Sequence, residues 1–238
     1  MKKKLLYVVN VDKFFLSHRL NIALEAKSFL NVNLATKFEL EEKLFRKKKI
    51  LTHQIFLQRG SFGIFSNFIT MVDIFTKIWK IKPDLIHFIS IKPVLIGGIV
   101  SKLFPSISKI FSVSGLGSNF INDDFFSKFK YFFLIYLYNH ALNQKKSKVI
   151  FQNKNDLNFI IKRTKLTKKN CVLIPGSGVS LNTFRPKKLN FHNPVVMFPS
   201  RILTHKGIFE FIDAVKILKR KNIKARFVLV GDIDTENP

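Results

Sequence analysis

Two cations carry the clearest chemical signal in the chain. In Ser200-Arg201-Ile202-Leu203-Thr204-His205-Lys206-Gly207, Arg201 and Lys206 stand five positions apart, between a short apolar run and an amphipathic stretch. Such a segment closes a strand and opens a helix, where open α/β sheets collect ligands. Arginine offers a planar fork to two phosphate oxygens, and lysine a mobile point charge. Gly207 lets the backbone turn closely into a helix whose N-terminus favours anions. The set suits a diphosphate leaving group, whose negative charge grows as it departs. It equally suits a capped helix with two solvated cations, and both readings stand at this level. The six histidines and 15 acidic residues have no metal-ligand spacing, so no metal and no cofactor is expected.

The elements that must position these residues follow from hydrophobic period. Short apolar runs alternate with amphipathic stretches, the mark of βαβ units around a mostly parallel sheet. Strands are expected over 4–9, 32–36, 53–57, 85–90, 109–113, 148–152 and 171–175. Helices are expected between them. One follows the first strand with Ser17 as its N-cap; another covers 64–81 and is closed by Pro83; a third is opened by Pro93 and reaches Leu103. An aromatic helix covers 124–142, and a short one begins near Asn155-Asp156. These elements make a complete α/β domain with a Rossmann-like, doubly wound parallel sheet. The segment from Gly176 to Asn193, rich in turn residues and without period, reads as a linker. One βαβ unit follows, with strands over 195–199 and 226–230 and a helix marked by Ile208, Phe211, Ile212 and Val215. The expected division is 1–190 for the first domain with its linker and 191–238 for the start of a second. A lone parallel pair cannot cover both its faces. The second domain is therefore expected to lean on the first, or to need further chain.

Composition narrows the class. Of 238 residues 47% are hydrophobic, ample for a sizeable core, and the formal charge is +26. A field of that size attracts polyanions and anionic lipid surfaces. The 27 Phe, with abundant Lys, Ile and Asn, also match the codon bias of an AT-rich genome. Cys171 is the sole cysteine, which excludes an intrachain disulfide and fits a reducing compartment. The basic start, Met1-Lys2-Lys3-Lys4, leads into too short an apolar run for a signal sequence. The aromatic helix has an uninterrupted apolar core only from Tyr131 to Tyr138, too short to span a bilayer. Its first part, Phe125 to Phe133, interleaves Phe with Lys, as interfacial helices do; an internal helix of the domain is the other reading. No RNA-binding or zinc signature accompanies the charge, and the basic residues are scattered among core strands. No nucleic acid is expected as a partner.

Several short segments stand in order along the chain: Phe14-Phe15-Leu16-Ser17-His18-Arg19-Leu20, Lys82-Pro83-Asp84-Leu85-Ile86-His87 into Ile91-Lys92-Pro93, and Ser114-Gly115-Leu116-Gly117. They continue with Pro175-Gly176-Ser177-Gly178-Val179, Ser200-Arg201, Lys206-Gly207, Glu210-Phe211 and Leu229-Val230-Gly231. Together they resemble the retaining GT-B glycosyltransferases of family 4, and are similar to the subgroup that extends polyprenyl-diphosphate-linked sugars in bacterial polysaccharide and O-antigen biosynthesis. The resemblance implies that Arg201 and Lys206, with Gly207, grip the donor diphosphate. It places Ser114, Gly115 and Gly117 at the loop facing the donor–acceptor cleft, and Gly176 and Gly178 in the linker near the donor. Ser17, His18 and Arg19 open the first helix beneath the cleft, where Arg19 would meet an acceptor phosphate or, with His18, cap the helix. His87, toward the end of the fourth strand, would bond a substrate hydroxyl or serve the sheet alone. Lys92 would meet an acceptor phosphate or lie solvated. Some relatives carry histidine where Ser114 stands.

The implied activity is transfer from a nucleotide sugar, a UDP-sugar in this subgroup, to a polyprenyl-diphosphate-linked saccharide. It is metal-independent and front-face retaining, with the departing diphosphate helping to deprotonate the incoming hydroxyl. The implied location is cytoplasmic, peripheral on the inner face of the cell membrane, against an anionic membrane surface. Relatives also carry a paired-glutamate motif for the donor sugar and ribose, absent from these 238 residues. The donor side is thus expected to be incomplete, with a missing C-terminal domain as a partner. The alternatives are a half-enzyme needing a separate chain and, on charge alone, a nucleic-acid-binding protein.

Overall fold

Nearly continuous apolar runs build the centre of the chain, as strands buried on both faces require. The computed structural model describes residues 2–40, 42–58, 63–115, 125–186, 188, 192 and 194–232. They fall into two compact units, Met1–Gly178 and Val179–Pro238.

In the first unit β1 (Lys4–Val11), β2 (Asn31–Lys37), β3 (Leu51–Gln54), β4 (Leu85–Ile89), β5 (Ser108–Val113), β6 (Ser147–Phe151) and β7 (Cys171–Leu173) form one sheet. Every pairing is parallel, in the order β3-β2-β1-β4-β5-β6-β7. The order reverses between β1 and β4, so the crevice for a ligand opens beyond their carboxyl ends. The expected doubly wound parallel sheet is present.

Helices cover the sheet from two sides. Leu6, Val8, Ile86, Phe88, Phe111, Val113, Val149 and Phe151 face one side. There they meet α4 (Ile64–Ile81), a π-helical turn (Pro93–Gly97), α5 (Gly98–Ser101), α6 (Phe125–Leu142) and α7 (Lys154–Arg163). The alternate positions Leu5, Tyr7, Val9, Val32, Leu34 and Ile89 pack with α1 (Asp12–His18), α2 (Leu20–Ala26) and α3 (Lys43–Arg46). Period two along each strand sorts the residues between the two layers.

The second unit pairs β8 (Val195–Pro199) with β9 (Arg226–Val230) in parallel, joined by a 3-10 turn (Thr204–Lys206) and α8 (Ile208–Arg220).

Several local expectations need correction. Ser17 does not open a helix: α1 already begins at Asp12, and Ser17 sits in its last turn, where its Oγ donates back to Lys13 O at 2.8 Å. The break falls at Arg19, whose φ of −128° separates α1 from α2. β1 runs on to Val11, which pairs with Lys37 past an irregularity in the ladder. β3 occupies Leu51–Gln54 because its partners on β2 are Asn33–Thr36. The apolar positions Ile55 and Leu57, which suggested the later start, are buried just beyond the strand. The helix opened by Pro93 begins as a π turn. A Cβ at Gly97 would stand 2.2 Å from the Phe88 ring, so this turn lies against β4 as only glycine permits.

Candidate functional site

The loops beyond β1 and β4 should hold a ligand, and they carry the least expected side chains of the unit. Asp12 follows β1 directly and is fully buried. Its Oδ1 accepts from Lys13 N at 2.8 Å and its Oδ2 from Leu40 N at 2.8 Å. The carboxylate thus fixes α1 at the strand end. A buried acid satisfied by backbone donors leaves no sequence signal beyond its position.

Seven residues on, α1 ends and Arg19 turns inward. It is 5% exposed. Its Nη1 donates to Ser177 Oγ at 3.1 Å, while its Nε is buried without a hydrogen-bond partner. Among the described residues it pairs with no carboxylate. Burial pulls the guanidinium below its ordinary pKa, with Tyr7 nearby opposing the shift. Arginine stays protonated in proteins regardless, so the site contains a desolvated cation with donors to spare.

Its surroundings are a polar seam across three strands. Tyr7 packs against Phe15 at 5.4 Å and against His87 at 5.3 Å between ring centroids. His87 Nε2 lies 2.7 Å from Ser112 Oγ. Burial, and then the Arg19 charge, drives the His87 pKa down to about 3, so the ring is neutral at ordinary pH. Burial raises the Tyr7 phenol to about 12, with Arg19 opposing. His87 stands at the middle of β4, paired with Tyr7 and Ile110, and not toward the strand's end.

Five further predicted residues reach this edge. Lys92 follows β4, is buried, and donates to Gln58 O at 2.7 Å; burial lowers its pKa. Ser114 and Gly115 follow β5, where Gly115 has a φ of +132° and open space around its Cβ position. Gly176 and Gly178, at φ of 70° and 68°, flank Ser177 and bend the segment after β7 back toward Arg19. The seam, Arg19 and Ser177 therefore come together. Ser17 and His18 stay exposed on α1, where His18 stacks on Phe14 at 4.3 Å. Gly117 lies outside the described residues. Ser177 was legible only as part of a glycine-rich turn, and its partner is 158 positions away.

Arg201, Lys206 and Gly207 lie in the second unit, between β8 and α8. Arg201 and Lys206 are exposed. Gly207 has a φ of 86° and donates to Thr204 O, and Gly207 O accepts from Phe211 N as α8 begins. The loop is tied to the strand ends. Ser200 N donates to Val230 O at 2.9 Å and Ile202 N to Asp232 O at 3.2 Å. A Cβ at Gly231 would lie 2.0 Å from Ser200 O, so β9 can approach this loop only through glycine. No group of three or more potential metal ligands occurs among the described residues.

Comparison with known proteins gives this geometry a context. The family model described as glycosyl transferase 4-like matches residues 4–153. The chain is 33% identical over 155 residues to an N,N'-diacetylbacillosaminyl-diphospho-undecaprenol alpha-1,3-N-acetylgalactosaminyltransferase of Campylobacter jejuni, covering 59% of this chain and 40% of that protein. It is 24% identical over 248 residues to CapM, a capsular polysaccharide biosynthesis glycosyltransferase of Staphylococcus aureus, covering 99% of this chain and 63% of that one. Its fold resembles the crystal structure of Anabaena HepE with UDP and glucose, with a TM-score of 0.68, 15% identity, and coverage of 98% and 62%.

Proposed function

The chain belongs to the glycosyl transferase 4-like family, and we propose that it supplies the acceptor side, and the beginning of the donor side, of a retaining transferase. Its donor is a nucleotide sugar, a UDP-sugar, and its acceptor a saccharide on a polyprenyl diphosphate. Residues 1–190 serve the acceptor and 191–238 the donor.

One observation carries the reading: Arg19 is a buried cation with no carboxylate partner among the described residues, at the switch point of the large sheet. A guanidinium in such a place is costly unless an anion completes it. A lipid diphosphate brings that anion. Lys92, at the neighbouring strand end, adds positive charge to the same edge. The neutral His87, tied to Ser112, packs against Tyr7, whose phenol lies close enough to Arg19 to feel its charge. On the donor side Arg201, Lys206 and the N-terminus of α8 offer positive potential to a leaving diphosphate. In this reading the diphosphate oxygen takes the proton of the incoming hydroxyl on the face it leaves, and the cations stabilise the charge left on it. The enzyme works peripherally at an anionic membrane on the cytoplasmic side, where its acceptor lies. Among the described residues no helix is long and apolar enough to cross a membrane.

The test is transfer itself. Radiolabelled UDP-sugars are incubated with a polyprenyl-diphosphate-linked saccharide and the chain, alone or with the carboxyl-terminal half of a relative. Labelled lipid in either arm, reduced by Arg201→Ala or Lys206→Ala, is the expected result. No labelled lipid in either arm with any nucleotide sugar overturns the proposal.

A further inference from the structure

The outer surface of α4 is apolar where it should be polar. A helix laid on a sheet buries one stripe and solvates the opposite face. On α4 the buried stripe is Thr70, Ile74, Ile78 and Ile81. A second stripe, Ile64, Phe65, Phe68, Val72, Phe75 and Trp79, recurs at spacings of three and four and is exposed along the whole helix. Phe65 is 77% exposed, and Phe68 and Trp79 are each 60% exposed. Six exposed apolar residues in a row exceed the scattered apolar exposure normal to a protein surface. Between Ile64 and Trp79 the stripe is about 22 Å long at 1.5 Å per residue.

The exposed charges nearby are mostly positive. Lys80 and Lys82 are exposed at the end of α4, and Lys102 is exposed beside the exposed Leu103 in the same helix layer. The sequences of α4 and α6 hold a single carboxylate, Asp73, whose Oδ2 accepts from Phe56 N at 2.7 Å. On α6, Phe132, Phe133 and Tyr136 are also exposed. The chain as a whole carries +26. Aromatic side chains edged by lysine, with almost no acid, complement an anionic lipid surface: the rings enter the headgroup boundary and the ammonium groups meet the phosphates. A protein partner or a second copy of this very basic chain would have to bring the negative charge that a bilayer already provides.

We infer that the exposed stripe of α4 is the face by which this chain lies on an anionic membrane. The inference rests on the proposed lipid-linked acceptor and says how the enzyme reaches it. In a parallel sheet the helix after β3 starts at the carboxyl edge, so Ile64 and Phe65 begin at the edge that carries Arg19 and Lys92. A chain seated on this stripe therefore holds that edge beside the bilayer.

Trp79 is the only tryptophan, so it reports on the stripe directly. The whole chain is mixed with vesicles of phosphatidylglycerol and phosphatidylcholine, with and without brominated acyl chains, and no sugar or acceptor. A blue shift and bromine quenching of Trp79 emission are expected, at least about tenfold weaker with pure phosphatidylcholine and weakened by salt. Phe65→Glu/Phe68→Glu should lower vesicle partition at least about tenfold. Phe65→Ser/Phe68→Ser, which adds no charge, should lower it in the same direction, with unchanged circular dichroism in both variants. Unquenched Trp79, or equal partition of all three proteins, overturns the inference. So does a blue shift that follows protein concentration without lipid, the mark of a second copy on the stripe. Binding of a water-soluble short-chain prenyl diphosphate, measured without vesicles, should be the same in all three. Its absence would count against the proposed function and leave the membrane result to stand or fall alone.

Discussion

Arg19→Met removes a guanidinium that is 5% exposed and holds one hydrogen bond, from Nη1 to Ser177 Oγ at 3.1 Å. Methionine has nearly the same reach and no charge. The loss is one charge-assisted hydrogen bond, about 1.5–3 kcal/mol. The gain is relief from desolvating an ion without a counter-ion, several kcal/mol in folded proteins. The balance predicts that the variant is more stable by about 1–2 kcal/mol, a rise of roughly 2–4 °C per kcal/mol in a unit of this size. Ser177→Ala, which removes only the hydrogen-bond partner, should cost about 1 kcal/mol. Urea titration followed by circular dichroism, with Trp79 fluorescence reporting the first unit, measures both. Inorganic diphosphate then separates stability from binding. At a hundred times its Kd it should raise the wild-type unfolding free energy by about 2.7 kcal/mol, and do little for Arg19→Met. A variant that loses more than about 1 kcal/mol, yet gains as much from diphosphate as the wild type, would refute the reasoning. Arg19 would then be a clasp for the Ser177 turn and not an anion site.

Other perturbations follow from the same geometry. His87 is held down to about 3, below its unfolded value of 6.5. The unfolded chain therefore binds the extra proton first as pH falls. Stability is intact above about pH 6.5, declines by up to about 1.4 kcal/mol per pH unit between 6.5 and 3, and stops declining below. His87→Gln should flatten that slope in denaturation measured from pH 7 to 4. Gly231→Ala puts a Cβ 2.0 Å from Ser200 O. It should displace the loop carrying Arg201 and cut sugar transfer at least about tenfold, while thermal unfolding of the first unit is unchanged. Gly98→Ala brings a Cβ within 2.6 Å of Ala141 Cβ and 3.0 Å of its Cα. It should cost about 1–3 kcal/mol by overpacking, seen as a lower urea midpoint.

The sheet was legible because buried parallel strands are nearly continuous apolar runs, and Lys4–Val11 and Leu85–Ile89 carry little else. Their order could not be read, since every strand in such a sheet has the same pattern. Local errors arose where a tertiary partner decides. The bounds of β3 depend on Asn33–Thr36 of β2, not on the apolar alternation of its own residues. The start of α1 depends on Asp12, whose second oxygen is held by Leu40 N, 28 positions away. At the site, residue types marked Arg19 and Lys92 as cations near strand ends. Their burial, and the seam of Tyr7, His87 and Ser112 behind Arg19, came only with the folded sheet. A charge that folding leaves unpaired is invisible in a sequence already rich in lysine and arginine.

The most direct measurement is calorimetric titration of the chain with a water-soluble short-chain prenyl diphosphate bearing a saccharide, at two salt concentrations. The account predicts binding to the wild type that weakens as salt rises, a loss of at least about tenfold in Arg19→Met, and no change in Arg201→Ala. Equal affinity of Arg19→Met and wild type would contradict it.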